Sequence, residues 1–274
     1  MSLRSTLVKW GLKYYGAARI KRAYEGYGYE QFLVTGPQGC GKTTYGLLIM
    51  YDIYRDWDLV LQNVHYDPLP AIRDLKRRLE RVKSKLRSKT GYKRDRLPVV
   101  LFDDAGKHFS KYLLGLGSWY YYQAVLINYM FNTIRTVCAA TIFTSPDEDI
   151  LKEIRKKSWL RGEPYYIHGY EDPRREIRFL RIRYTTLGFK YGKTVFIDRF
   201  RVDAIPSDVR AEVDLKRIEA MEELYDELED VINKIKEKIE SDEKLPPKAQ
   251  RFAKALGLLK SSNNTRKGGR GSEN

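Results

Sequence analysis

The residues from Gly36 to Thr44, Gly-Pro-Gln-Gly-Cys-Gly-Lys-Thr-Thr, have the types and spacing to hold a phosphate. Gly36, four residues, then Gly41-Lys42-Thr43 satisfy the phosphate-loop pattern G-x-x-x-x-G-K-[ST]. Glycines here let backbone N–H groups curl around an anion, and a helix starting just beyond adds its positive end. In that chemistry Lys42 reaches the β- and γ-phosphates of a nucleotide such as ATP, and the Thr43 hydroxyl is offered to Mg2+. About sixty residues later, Leu97 to Phe102 form a near-continuous apolar run ending on Asp103-Asp104. A hydrophobic strand that delivers an acid is the second half of a magnesium–nucleotide site, with Asp103 expected to hold the metal through water. A third apolar run, Val137 to Phe143, ends on Thr144-Ser145-Pro146. A hydroxyl at that tip, from Thr144 or Ser145, can orient an attacking water; the plainer reading is a strand-ending turn before Pro146.

The elements that must position these groups follow from the flanking pattern. Gln31 to Thr35 reads as a short buried strand and Thr43 to Tyr54 as a helix, so the glycine turn lies in the context it requires. Asp58 to Val64 reads as a second strand, and the Pro68/Pro70 pair breaks the chain and can open a helix. From Ile72 to Leu86 the apolar residues step by 3, 4, 3 and 4, a helical seam. Between Arg73 and Arg96 twelve Lys/Arg face three acids, so one face packs and the other meets water or an anion. After Ala105-Gly106-Lys107-His108, the stretch from Ser110 to Gly117 suits a loop, and Trp119 to Ile134 an apolar helix whose aromatic start can pack as core or stack on bases. A helix is expected over Glu148 to Leu160. Glu176–Tyr184 and Lys193–Phe200 read as a basic hairpin that extends the sheet or forms a wing. Ser207 to Glu240 reads as a long helix with inverted charge, twelve acids to six bases, and the basic seam at 72–86 is its obvious mate, within the chain or between subunits. A short basic helix over Lys248 to Lys260 and a disordered basic tail close the chain.

These readings divide the chain into a basic N-terminal helix (1–29), a core (30–205) with a basic helical insertion (70–96), a C-terminal helical region (206–260) and the tail (261–274). The 274 residues carry 51 Lys+Arg against 36 Asp+Glu, a formal net charge of +15, which favours a polyanionic partner. Two cysteines, Cys40 and Cys138, give no disulfide framework and fit a reduced, intracellular setting. No run of 18 apolar residues occurs, so no membrane span is expected, and the N-terminus lacks a signal-peptide core. Abundant Lys, Arg, Glu and Tyr beside few Asn, Gln and Met are of the thermophile kind.

Together Gly36–Thr44, Leu97–Asp104 and Ala139–Ser145 resemble the core of additional-strand P-loop ATPases, the AAA-type group in the wide sense. Phe102-Asp103-Asp104-Ala105-Gly106, the compact size and the basic extensions resemble ATPases encoded by archaeal viruses and plasmids. The resemblance covers roughly residues 30–160. It implies a three-layer α/β fold whose mainly parallel sheet sets the Thr144 strand between the phosphate-loop and Asp103 strands. It implies ATP and Mg2+, with Gly36, Pro37, Gln38, Gly39, Cys40, Gly41, Lys42, Thr43 and Thr44 around the phosphates and Thr43 and Asp103 on the metal. Asp104 stands where this class has a glutamate that activates water, one methylene short, and Thr144 would be the sensor. Arg135, like Arg155 and Arg161, is a candidate finger for a neighbouring subunit's γ-phosphate; nothing in the chain chooses among the three. The function expected is a homo-oligomeric ATPase acting on DNA, in replication or packaging of a mobile element inside its host cell. Two other classes remain: a small-molecule or nucleotide kinase on the same loop, and a nucleotide-switched scaffold that hydrolyses poorly.

Overall fold

Strand β1 (Glu30–Thr35) is buried along its whole length and runs straight into the phosphate loop, which opens α2 (Lys42–Tyr54). A computed structural model describes residues 11–88, 96–104, 125, 129–130, 133–147, 154–155, 158–165, 177–184, 193–241 and scattered positions from 245 to 258. Lys107, His108, the 110–117 loop, nearly all of the 119–134 helix, the 185–192 connection and the 261–274 tail lie outside the described residues, as does most of the 248–260 helix.

Before β1 comes α1 (Tyr15–Glu25), the described part of the expected N-terminal helix. No Ser, Thr, Asp or Asn caps it locally; carboxylates from distant elements do so instead. Asp52 accepts from the N–H groups of Lys13 (2.7 Å) and Tyr14 (3.1 Å), and Asp198 from that of Tyr15 (3.0 Å). The second strand expected over 58–64 is mostly a helix, α3 (Trp57–Gln62), followed by the two-residue β2 (Val64–His65). Asp56 explains the difference: its side chain accepts from the N–H groups of Asp58 and Leu59 and caps the turn before an apolar run that looks like a strand. The basic seam forms α4 (Pro68–Arg87).

Beyond it lie β3 (Val100–Phe102), β4 (Ala140–Ser145), β5 (Leu160–Tyr165), β6 (Ile177–Tyr184), β7 (Lys193–Arg201) and α5 (Ser207–Glu240). The sheet has seven strands in the order β2-β3-β4-β1-β5-β6-β7. The pairs from β2 through β5 are parallel, and β5–β6 and β6–β7 are antiparallel. The sequence places a helix up to Leu160; instead β5 begins there, and it carries the hairpin onto the sheet as two further strands rather than as a separate wing. At β5, Gly162 is needed for close approach, because a Cβ would sit 2.8 Å from Leu180 Cδ2 and 3.2 Å from the Phe32 ring.

Alternation along the strands divides the core between the two faces. Phe32, Val34, Leu101 and Ile142 pack with α1, α2 and with Val209 and Val213 of α5. Leu33, Val100, Phe102 and Phe143 pack with Ala71, Leu75 and Val82 of α4. The start of α5 and the basic helix therefore join different core clusters. The chain resolves into two compact units, Met1–Ile218 and Glu219–Asn274. In the second, Ile235, Leu245 and Ala253 form a small buried cluster. Among the described residues, no helix is long and apolar enough to cross a membrane.

Candidate phosphate and metal site

Three strands deliver the site at their carboxyl ends, where open α/β sheets bind ligands. Val34 is in register with Thr144 and Phe102 with Phe143, so β4 lies between the phosphate-loop strand and the Asp103 strand, as the resemblance implies. The loop turns on Gly41, which sits at φ 95° and caps α2. A side chain there would meet the left-handed backbone penalty and the Phe200 ring 3.1 Å away, so glycine is required twice over. Pro37, Gln38 and Gly39 form an exposed crest, Gly36, Cys40, Thr43 and Thr44 are half-buried, and Lys42 is buried. The Lys42 ammonium donates to the Gly36 carbonyl (2.8 Å) and the Pro37 carbonyl (2.9 Å), which holds it along the loop. Burial raises the pKa of the Cys40 thiol against the pull of that ammonium, so the sulfur stays protonated and neutral.

Asp103 is the hub. It is 1% exposed, and a buried carboxylate is tolerable only with partners on its oxygens. Thr43 Oγ1 lies 2.8 Å from Oδ1 and 3.0 Å from Oδ2. Thr144 donates its hydroxyl to Oδ1 at 2.5 Å. The same Thr144 oxygen accepts the Asp104 N–H at 2.9 Å. Asp104 adopts a left-handed conformation at φ 50°, which aspartate tolerates better than most residues. Its side chain is 49% exposed, so the two consecutive acids point to different environments, one into the hub and one to solvent.

The third side-chain partner of Asp103 comes from outside the sequence motifs. Arg217, from the first turns of α5, donates to Asp103 Oδ2 at 2.8 Å and to Thr43 Oγ1 at 3.2 Å. Its Nε lies 3.7 Å from Asp104 Oδ2, and its guanidinium packs over the Tyr66 ring. Burial works against the arginine's charge, but the hydrogen bond and charge of Asp103, with Tyr66 and Asp104, outweigh it and raise the pKa. Charge averaged over 208–240 hides this residue. All seven charges from Glu219 to Asp230 are acids, whereas Asp208 to Arg217 holds three acids and three bases. Arg178, read only as part of a basic strand, is likewise buried, with its stem against the place a Gly41 Cβ would fill.

The arginines named as finger candidates are elsewhere. Arg135 is exposed on a 3-10 turn (Ile134–Thr136) that precedes β4, at the amino end of the strand that carries Thr144 at its other end. Arg161 belongs to β5, opposite Leu33, and its guanidinium is turned to the Arg155 carbonyl.

The donors present fit a hard divalent cation. The Thr43 hydroxyl and the Asp103 carboxylate are adjacent oxygen ligands of the kind Mg2+ accepts, and a guanidinium already rests on both.

The fold and site define a mixed α/β chain with a mostly parallel sheet and a phosphate-loop site at its carboxyl edge. Over 152 residues the chain is 30% identical to uncharacterized protein B-251 of Sulfolobus spindle-shape virus 1, a match that covers 52% of this chain and 53% of that protein. Over 147 residues it is 30% identical to uncharacterized protein ORF286 of Acidianus two-tailed virus, covering 53% and 45%. Both are proteins of archaeal viruses, and the chain spans about half the length of these curated relatives. No family model matches. Among solved structures, the N-terminal domain of zonular occludens toxin from Neisseria meningitidis matches over 66% of this chain and 96% of that one, at 13% identity and a TM-score of 0.36.

Proposed function

We propose that the chain is an AAA-type ATPase that hydrolyses ATP and acts on DNA as a homo-oligomer, in replication or packaging of a viral or plasmid genome. What supports the nucleotide half most is the convergence of Thr43 and Asp103 at 2.8 Å across 60 residues of sequence, beside the Lys42 loop. Thr43 and Asp103 would hold Mg2+, which supplies charge neutralisation of the β- and γ-phosphates when bound. The Gly36–Thr44 backbone and the α2 N-terminus would hold the phosphate oxygens, and Lys42 would leave its two carbonyls to reach them. Asp104 would take a proton from the attacking water at a carboxylate oxygen. Thr144, by holding the Asp104 N–H and Asp103 together, would set where that carboxylate stands. A trans arginine, Arg135 among them, would come from a neighbouring subunit.

The DNA half rests on charge. On α4, Arg73, Lys76, Arg77, Arg81, Lys83, Lys85 and Arg87 are all exposed, while Ala71, Leu75 and Val82 face the core. Such a track neutralises phosphates without reading bases. Division of the chain into a 30–205 core, a 70–96 insertion and a 206–260 helical region belongs to this reading, as does a site of action inside the host cell. The test is ATP turnover with no polymer, single-stranded DNA, duplex DNA and RNA. A several-fold rise with DNA is expected. Turnover that needs a small phosphoryl acceptor instead would make the chain a kinase.

A further inference from the structure

The guanidinium of Arg217 and a hydrated divalent cation need the same lone pairs. Thr43 Oγ1 accepts from Arg217 Nη2 at 3.2 Å, and Asp103 Oδ2 accepts from the same nitrogen at 2.8 Å. These are the two oxygens that the phosphate-loop pattern and the acid-ended strand assign to Mg2+. We propose that Arg217 is a latch on the metal half of the nucleotide site: it holds Thr43 and Asp103 until a divalent cation takes them, and arginine and metal exclude each other. The inference rests on the reading of these residues as a magnesium–nucleotide site and adds a positioning residue from outside the sequence motifs.

Three features make the latch exchangeable rather than permanent. Arg217 Nε is buried with no hydrogen-bond partner, and the Asp104 carboxylate stops 3.7 Å short of it, so the engaged state leaves one donor unpaired. A second set of anchors lies beside the first: Asp214, one turn back, is 3.3 Å from Nη1, and the Tyr66 ring lies under the guanidinium at 5.6 Å. An arginine displaced from Asp103 therefore keeps a carboxylate and an aromatic face within reach of a small rotation. Finally, the first turns of α5 are held independently, by Val209 and Val213 in the core and by Lys216, which donates to the Leu61 carbonyl at 2.9 Å. Release of Arg217 leaves that anchorage in place.

The planar fork matters as well as the charge. One guanidinium nitrogen bridges a hydroxyl and a carboxylate while the other reaches Asp214, a geometry that the compact ammonium of a lysine does not reproduce.

The probe is Mn2+ alone, followed by electron paramagnetic resonance on the full chain without nucleotide, in the wild type, Arg217→Ala and Arg217→Lys. Arg217→Ala is expected to bind Mn2+ about tenfold tighter than the wild type, the size of a typical coupling between competing ligands. Arg217→Lys is expected to fall between them, and it carries the comparison if Arg217→Ala does not fold. Side-chain 15N NMR of the wild type should show the Arg217 Nε–H signal shift as Mg2+ is added. Variants that bind Mn2+ no tighter than the wild type, or more weakly, overturn the latch even when the wild type retains magnesium-ATP. A wild type that retains neither Mn2+ nor magnesium-ATP brings down the nucleotide reading itself.

Discussion

The Thr144 hydroxyl donates to Asp103 and accepts from the Asp104 backbone, so both acids are set by one oxygen. Thr144→Val keeps the shape of this fully buried side chain and removes that oxygen, taking one donor from the buried Asp103 carboxylate and one acceptor from the Asp104 N–H. The expected cost is about 1–3 kcal/mol of stability, read by urea unfolding. Turnover should fall more than ATP affinity, and Thr144→Ser should restore both; equal losses in affinity and turnover would place Thr144 outside the chemistry. Asp104→Ala removes a half-exposed carboxylate whose Oδ2 lies 3.7 Å from Arg217 Nε. Binding of ATP should survive and hydrolysis fall about a hundredfold or more, in the range of a lost general base. Unchanged turnover removes Asp104 from the mechanism. Lys42, Thr43, Asp103 and Thr144 are legible in the sequence because each sits at a fixed place in a pattern: a loop, a strand end, a strand tip. Arg217 has no such pattern around it. It comes from a helix far along the chain, and only the local balance of charge in its first three turns distinguishes it.

At the scale of elements, the parallel strands β1, β3 and β4 are readable because buried strands are continuous apolar runs, and α4 because its seam keeps helical spacing. The failures have physical reasons. Leu59-Val60-Leu61 is apolar enough for a strand, and Asp56 as a cap three residues earlier is the signal that decides for a helix. β5, Leu-Arg-Gly-Glu-Pro-Tyr, carries two residues that weaken strands, although burial alternates along it as a strand's does. Its Gly162 is what lets β1 and β6 close over it. Gly162→Ala should destabilise by about 1–3 kcal/mol through overpacking, seen as a lower midpoint in denaturant; an unchanged midpoint would mean that Leu180 moves aside without cost. The capping of α1 gives a pH signature. Burial raises Asp198 from the ordinary 3.8 to about 6, against its hydrogen bonds from Tyr45 and the α1 backbone. The folded value lies above the unfolded one, so the stability Asp198 contributes is full below about 3.8 and lost as pH rises through about 6, a change on the order of 3 kcal/mol. Asp198→Asn should lack that part of the slope. Parallel stability–pH curves for the two chains, from urea unfolding across that window, would contradict the assignment.

At the scale of the whole molecule, the electrostatic balance is the feature that bears on a partner. The formal charge of +15 favours a polyanion, and the exposed basic row on α4 is its proposed place of contact. Neutralising Arg73, Lys76, Arg77 and Arg81 should lower the slope of log affinity for duplex DNA against log salt by about 3 to 4, if each meets a phosphate. An unaltered slope would assign that face to protein or solvent. Relatives from two archaeal viruses, each matched over about half its length, agree with the viral setting of the proposed function. The proposed ATPase activity requires that the Gly36–Thr44 loop and the Asp103 hub take up one magnesium triphosphate. Equilibrium binding of ATP to the full chain, with Mg2+ and with chelator, in the wild type and in Lys42→Ala, tests this most directly. Retention by the wild type that depends on Mg2+ and vanishes in Lys42→Ala is the predicted result; no retention by the wild type, or equal retention by both, would contradict it.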